Sequence, residues 1–131
     1  MRNPLLKKKW IPVSARGKDY VKVCKASKII LNFLRKQNLG SHNMRTFEVP
    51  GCGGFLLTLR SEEQLEFFEE EKEIACFSTL EELQDKIKFY LPREELRHKI
   101  AEAAHMKVAQ GHTYLDRAKR VLKVYNEMKN G

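Results

Sequence analysis

The amino-acid sequence predicts an α/β fold built on a parallel sheet of three to four strands. Three short runs, KIILNFL (28–34), FLLTL (55–59) and EIACFS (73–78), are apolar on both faces, which is typical of strands inside a parallel sheet. Helical patterns separate these runs, and strands that alternate with helices favour parallel pairing. The pattern is helical over about residues 79–128, so we expect a helical C-terminus.

Length and composition fit one domain with a core of its own. The chain has 131 residues, of which 42% are hydrophobic and 32% charged, an ordinary globular balance. No apolar run approaches the roughly 20 residues of a membrane span, and the N-terminus lacks the pattern of a signal peptide. We therefore expect a soluble, cytoplasmic protein with no membrane span.

The three cysteines do not form a metal or redox motif. Cys24, Cys52 and Cys76 are widely spaced and no CxxC pair occurs, so a zinc ribbon or a dithiol site is not expected. Cys24 and Cys76 have apolar neighbours, which predicts buried free thiols.

The net charge of +8 is concentrated near the N-terminus. Residues 1–36 hold eleven Lys or Arg and one acid, whereas residues 37–131 hold fourteen bases and sixteen acids. Such asymmetry fits nucleic acid, an acidic membrane or a phosphate-bearing ligand. It equally fits a solvated surface or one that faces a partner. An alternative hypothesis for the function is therefore a non-catalytic basic adaptor that binds nucleic acid or a partner protein.

The N-terminal part is expected to hold one short strand and one helix. WIPVS (10–14) is a candidate extended segment, and Pro12 places it at an edge or a strand start. Asp19 is predicted to cap a helix in KDYVKVCKAS (18–27). The residues expected on its inner face are Tyr20, Val21 and Cys24.

A polar loop and a short helix follow the first buried strand. The loop RKQNLGSHN (35–43) leads to Asn43, which is predicted to cap the helix MRTFEVP, ending near Pro50. GCGG (51–54) then turns the chain into the next strand, a corner that needs positive φ. Because these glycines precede a strand rather than a helix, they are not a dinucleotide-binding fingerprint.

Capping signals mark the helices after the second strand. Ser61 with Gln64 forms a capping box, as does either Ser78 with Glu81 or Thr79 with Glu82. Pro92 suits a first helical turn, Gly111 a helix end, and Thr113 with Asp116 another helix start. The expected core faces are Leu65 and Phe68; Leu80, Leu83, Ile87 and Leu91; Leu96, Ile100, Ala103, Ala104 and Val108; and Leu115, Ala118, Leu122, Tyr125 and Met128.

The best candidate for a ligand site lies at the loop that ends in HNMR. Parallel sheets bind ligands outside the carboxyl ends of their strands, and free N–H groups at a helix start attract anions. Arg45 in that first turn opposes the helix dipole, so it either serves a ligand anion or is an ordinary surface arginine. Glu48 sits among apolar neighbours and could accept hydrogen bonds from ribose hydroxyls or pair with Arg45.

No motif predicts a self-contained catalytic centre, metal site or cofactor. His98, His105 and His112 recur every seven residues, a helical rise of about 10 Å per step that is too long for one metal ion. We expect surface histidines. Neither GxSxG nor HExxH occurs, and no cysteine has a local histidine partner.

Three segments together resemble the C-terminal part of CgeB-like (spore maturation protein type) glycosyltransferases. These segments are RTFEVPGCGGFLLT, EIACFSTLEEL and HTYLDRAKRVL, and the resemblance covers about residues 19–124. It implies a GT-B architecture, in which two Rossmann-like domains flank the active site and the C-terminal one binds the nucleotide-sugar donor. The chain (1–131) would then be a single, partial, three-layer Rossmann-like donor domain.

The resemblance also implies a set of donor-binding residues. Glu48 matches the glutamate that holds the donor ribose in related retaining enzymes, and Gly53 and Gly54 match small residues behind the site. The residues expected to face the diphosphate of a UDP- or GDP-type donor are His42, Asn43, Arg45 and Thr46, and Arg35 is a further residue expected to bind the nucleotide-sugar. Gly40 stands where those enzymes carry a further acid, which leaves open whether the reaction is retaining or inverting.

The resemblance begins within a domain and lacks an acceptor domain. The chain is therefore expected to be a fragment, a split-gene product or a stand-alone relic, without transferase activity alone. An N-terminal acceptor domain, a partner chain or a second copy would complete it.

Overall fold

A parallel sheet forms the centre of the protein, whose computed structural model describes Lys9 and residues 14–130. The strands of the described part are β1 (Ile30–Asn32), β2 (Leu56–Leu59) and β3 (Ala75–Phe77), in the order β1-β2-β3. This confirms the predicted α/β fold with a parallel sheet. The candidate extended segment 10–14 lies outside the described residues except for Ser14.

Strand β2 is the central strand of the described sheet, and β1 lies at its edge. In register, Leu31 aligns with Leu57, which aligns with Ala75 on β3. The expectation that 28–34 is a central strand is wrong, because Leu31 and Phe33 are 37% and 54% exposed. An apolar run alone does not tell an edge strand from a central one.

Helices follow and cover the strands. They are α1 (Lys18–Ala26), α2 (Arg45–Gly51), α3 (Glu62–Phe67), α4 (Leu80–Tyr90), α5 (Glu94–Gly111) and α6 (Tyr114–Asn130), with a 3-10 turn at Lys36–Asn38. Pro92 therefore precedes α5 instead of lying in its first turn. Among the described residues, no helix is both long and apolar enough to cross a membrane.

Two apolar clusters pack on opposite faces of the sheet and make a three-layer, Rossmann-like domain. One joins α1, α2 and the end of α5 to Leu56 of β2. The other joins α4 and the middle of α5 to Leu57, the next residue of β2. Because neighbouring strand residues point to opposite faces, β2 anchors both clusters.

The buried cysteines behave as predicted. Cys24 and Cys76 are buried and unpaired. Burial raises the pKa of the Cys76 thiol to about 12, and burial likewise raises that of Cys24. These thiols stay protonated at neutral pH and are therefore poor nucleophiles.

Three of the predicted helix caps are confirmed in their geometry. Ser61 caps α3 and accepts the Gln64 N–H at 3.3 Å. Thr113 and Asp116 cap α6 reciprocally, because each side chain accepts a hydrogen bond from the other's backbone N–H, at 3.2 and 3.0 Å. Thr79, not Ser78, caps α4 and accepts the Glu82 N–H at 3.1 Å. Asp19 does not cap α1, which starts after Gly17 without a side-chain cap; it pairs with Lys22 instead.

Several residues expected in the core are exposed. Leu65, Leu80 and Leu91 are 38%, 67% and 46% exposed, so the helical pattern placed these three wrongly. Phe68 and Leu83 of the same predicted faces are buried, as are Ile100, Ala104 and Val108 of α5. In α3 the buried residue is the polar Gln64. No residue of α6 is buried; its apolar side chains, including Leu115, Leu122, Tyr125 and Met128, face outward within the described structure.

An arginine at the carboxyl end of β2 ties several elements together. Arg60 makes bidentate contacts to Glu70, with distances of 2.7 and 3.1 Å, and to Glu82, with distances of 2.6 and 3.1 Å. It also donates a hydrogen bond to Ser78. Arg60 thus links the end of β2 to the segments before β3 and after it.

The GCGG turn is a tight corner, as its glycines predict. Gly53 has φ +75°, and Gly54 is so closely packed that an added Cβ would lie 2.7 Å from Ile30 Cδ1, 3.0 Å from Val49 Cγ1 and 3.3 Å from the Cys24 carbonyl oxygen. Only glycine fits at this position without displacing α1, α2 or β1.

Gly54→Ala is expected to lower the free energy of unfolding by about 2 kcal/mol, because overpacking forces neighbouring atoms to shift. Chemical denaturation measures this change. Gly111→Ala is the matched control, since nothing lies within 4 Å of the Cβ added there. Equal stability of the Gly54→Ala variant and the wild type would contradict the packing argument.

Candidate functional site

A buried polar network fixes the loop that precedes α2. The side-chain amides of Asn32 and Asn43 exchange two hydrogen bonds, at 2.9 and 3.1 Å. The Asn32 amide also donates to the Thr58 hydroxyl at 3.1 Å. Asn32 and Thr58 are fully buried at the ends of β1 and β2, so they hold Asn43 at the carboxyl edge of the sheet.

Gln64 of α3 completes this network. Its side-chain oxygen accepts hydrogen bonds from the hydroxyls of Thr46 and Thr58, at 3.0 and 3.2 Å. Its amide donates to the Leu59 carbonyl and the Ser61 hydroxyl. Buried polar groups that are all partnered rigidify their surroundings, and this network sets the position of α2.

The first N–H groups of α2 are already engaged. The Arg45 N–H donates to Asn43 Oδ1 at 3.1 Å, the Thr46 N–H to the Asn43 carbonyl, and the Phe47 N–H to the Met44 carbonyl. The expectation that free N–H groups here would bind an anion is therefore wrong. Asn43 does cap the start of α2, and in doing so it occupies a group that an anion would need.

Two surface clefts flank α2 at the carboxyl edge of the sheet. The aromatic cleft, of about 560 Å³, lies between α2 and the start of α6 and is defined by Phe47, Glu48, His112, Tyr114 and Arg117. The basic cleft, of about 960 Å³, lies between α2 and α1. It is defined by Arg16, Tyr20, Arg35, Arg45 and Glu48. Both volumes fall in the range of small-molecule sites.

Stacked rings form the floor of the aromatic cleft. The rings of Phe47 and His112 stack, with centroids 5.2 Å apart and planes at 26°, and the Arg117 guanidinium lies 4.9 Å from the Phe47 centroid. Burial and the nearby cations Arg117 and Lys107 lower the pKa of His112, so its ring is neutral at neutral pH. His112 is therefore not the surface histidine that its spacing predicted.

Glu48 lines both clefts and has no partner among the described residues. It is half-buried, yet the described part shows no hydrogen bond or ion pair to its carboxylate. The alternative that Glu48 simply pairs with Arg45 is not realised in the structure. A half-buried, unpaired carboxylate is costly, which makes it a candidate for contact with a ligand.

The basic cleft presents three arginines and one acid. Arg16, Arg35 and Arg45 are exposed and make no ion pair within the described residues. Tyr20 lies beside them, and burial raises its pKa to about 12, so its hydroxyl stays neutral. The cleft therefore carries excess positive charge that suits an anion.

His42 lies between the loop and α3. Its buried Nδ1 is 2.9 Å from Glu63 Oε2, a charge contact rather than a hydrogen bond. Ser41 donates a hydrogen bond to the same carboxylate, and Ser41 together with His42 lowers the pKa of Glu63. His42 also packs edge-on against Phe47 and lines the aromatic cleft.

The residues proposed from the sequence divide into two groups. Those that line a cleft are Arg35, His42, Asn43, Arg45 and Glu48. Thr46 is fully buried in the polar network, and Gly53 and Gly54 line neither cleft, so these three do not face the candidate site. Their places are supporting ones, in the network and in the corner behind α2.

Sequence reasoning missed the far wall of the aromatic cleft. His112, Tyr114 and Arg117 come from the start of α6, more than 60 residues after Glu48. The segment HTYLDRAKRVL was recognised only as part of a resemblance, and that was the signal available. Among the described residues, no group of three His, Cys, Asp or Glu side chains is placed to hold a metal ion.

Comparison with known proteins gives one match. A family model described as glycosyl transferase-like matches residues 9–123, which is most of the chain and includes both walls of the aromatic cleft. Searches of curated proteins and of solved structures found no match.

Proposed function

Because the chain belongs to the glycosyl transferase-like family, we propose that it is the donor-binding half of a GT-B glycosyltransferase of the CgeB-like type. It would bind a UDP- or GDP-type nucleotide-sugar at the carboxyl edge of the sheet. The observation that carries this proposal is Glu48, a half-buried carboxylate without a partner in the described structure, which lies between two clefts. A carboxylate in such a place suits the hydroxyls of a ribose.

The neighbours of Glu48 support the proposal. Asn43 is oriented by a buried network, and Arg45 and Arg35 supply positive charge beside it. The chemistry that this side of the enzyme would contribute is to position the donor and to neutralise the leaving diphosphate.

We propose that transfer of the sugar needs a second domain or a partner chain in addition to this domain. Both clefts lie on its surface, and a donor bound there is exposed to water on one side. A closing domain or partner chain that excludes water would favour transfer over hydrolysis. We expect the chain alone to bind the donor without transferring its sugar to an acceptor.

Glu48→Gln is expected to weaken UDP or GDP binding about tenfold, since it removes the charge from hydrogen bonds to the ribose. Stability should not fall, because the described structure gives that carboxylate no partner to lose and the change removes a half-buried charge. Titration calorimetry measures the affinity, and a urea unfolding curve measures the stability. Glu66→Gln, an exposed glutamate on α3, is the control that should leave both unchanged.

Absence of UDP and GDP binding by the wild-type chain would contradict the proposal. The basic adaptor is the alternative, and it requires a nucleic-acid complex whose affinity falls steeply with salt. Donor binding requires no such complex. A mobility-shift assay at low salt distinguishes the two functions.

A further inference from the structure

The two clefts share one wall and differ in chemistry. Asn43, Met44 and Glu48 line both of them, so α2 forms a ridge between the clefts. A ligand that lies across this ridge would contact both clefts at once. Such a ligand needs two chemically different ends joined by a polar middle.

The aromatic cleft suits a planar, uncharged group. Phe47 and His112 stack on each other and form an apolar floor, Met44 and Val108 add apolar surface, and Tyr114 is 81% exposed beside them. The charges of Glu48 and Arg117 balance, and burial helps to keep His112 neutral. Proteins commonly hold nucleobases by stacking them on aromatic rings and on the planes of arginine guanidinium groups.

The basic cleft suits a polyanion. Its three arginines face a single acid, Glu48, at its border. Arginine binds phosphate oxygens through paired N–H groups. The engaged N–H groups of α2 leave this task to side chains.

We propose that the donor is read in two parts: Tyr114 and Arg117 in the aromatic cleft hold the nucleobase, and Arg35 and Arg45 in the basic cleft hold the diphosphate. Glu48 on the ridge then meets the ribose between them. This assignment rests on the proposed function and deepens it. It makes the start of α6 the part of the chain that distinguishes one base from another.

The test compares two arginine variants on two ligands. Titration calorimetry of the full chain is run with UDP and GDP and with inorganic pyrophosphate, each at several salt concentrations. Arg117→Ala should weaken nucleotide binding about tenfold and leave pyrophosphate binding unchanged. It should also reduce the difference in affinity between UDP and GDP. Arg45→Ala should weaken nucleotide and pyrophosphate alike and reduce the salt dependence of both. Arg120→Ala, an exposed arginine on α6 outside both clefts, should match the wild type.

The outcomes separate this inference from the proposed function. If the wild type binds neither UDP nor GDP, the proposed function itself fails. If nucleotides bind but Arg117→Ala weakens pyrophosphate as much as nucleotide, the two-part assignment is overturned. It is also overturned if both variants bind nucleotide like the wild type, because the ligand then lies elsewhere.

Discussion

Asn32→Leu is expected to lower the free energy of unfolding by about 3 kcal/mol. Asn32 is fully buried, and its side chain bonds to Asn43 and Thr58. Leucine has a similar size but leaves the Asn43 amide without its partner and removes the donor to the Thr58 hydroxyl. Each buried polar group left unsatisfied costs about 1–3 kcal/mol. Urea unfolding followed by circular dichroism measures the loss.

The same change should reach the candidate site. Without Asn32, the Asn43 side chain keeps only the hydrogen bond from the Arg45 N–H and loses its tie to β1 among the described residues, so nucleotide affinity should fall together with stability. Asn126→Leu is the matched control, because Asn126 is exposed on α6 and its replacement should change stability by less than about 0.5 kcal/mol. A loss below about 1 kcal/mol for Asn32→Leu would show that the network is not a determinant of the fold.

Arg60→Met is expected to lower the free energy of unfolding by about 3 kcal/mol as well. Methionine keeps much of the aliphatic volume but removes the bidentate bonds to Glu70 and Glu82. The two carboxylates then lose the guanidinium that they share, and removing one partner of a partly buried ion pair costs more than the pair contributes. Arg120→Met, at an exposed position on α6, is the control that should leave the unfolding curve unchanged.

The contribution of the Arg60–Glu82 ion pair to stability should depend on pH in the acid range. The hydrogen bonds that Arg60 donates to the Glu82 carboxylate are the main cause that lowers the pKa of Glu82 from 4.5 to about 2. A carboxyl group whose pKa is lowered on folding stabilises the fold fully above its unfolded pKa, and this contribution is lost as the pH falls through the folded pKa. The stability difference between wild type and Arg60→Met should therefore shrink between pH 4.5 and about 2. A difference that stays constant over this window would contradict the ion-pair argument.

Local patterns predicted the elements of this fold well and their burial less well. Apolar runs predicted the strands, and the Thr113–Asp116 capping box predicted the start of α6. Both features depend only on a few neighbouring residues. Whether Leu80 or Leu122 is covered depends on what packs against the helix, which periodicity does not encode. The edge position of β1 is likewise a property of the sheet order, not of its own sequence.

The candidate site shows the same division. Asn43, Arg45 and Glu48 lie within one six-residue segment, so the predicted loop and helix were enough to identify them as candidate site residues. His112 and Arg117 reach Phe47 only through the packing of α5 against α2. The N–H groups of α2 are engaged partly by the Asn43 side chain and partly by the backbone carbonyls of Asn43 and Met44, and these backbone bonds are not specified by a sequence pattern.

The most direct test of the donor site is a map of backbone amide chemical shifts during titration with UDP and GDP. The account predicts that shifts concentrate at residues 42–48 and 112–117, on the two sides of the aromatic cleft and along the ridge of α2. The amides of Gly53 and Gly54, which line neither cleft, and those at the start of α5 should stay unchanged. No shift with either nucleotide, or shifts confined to Gly53, Gly54 and the start of α5, would contradict it.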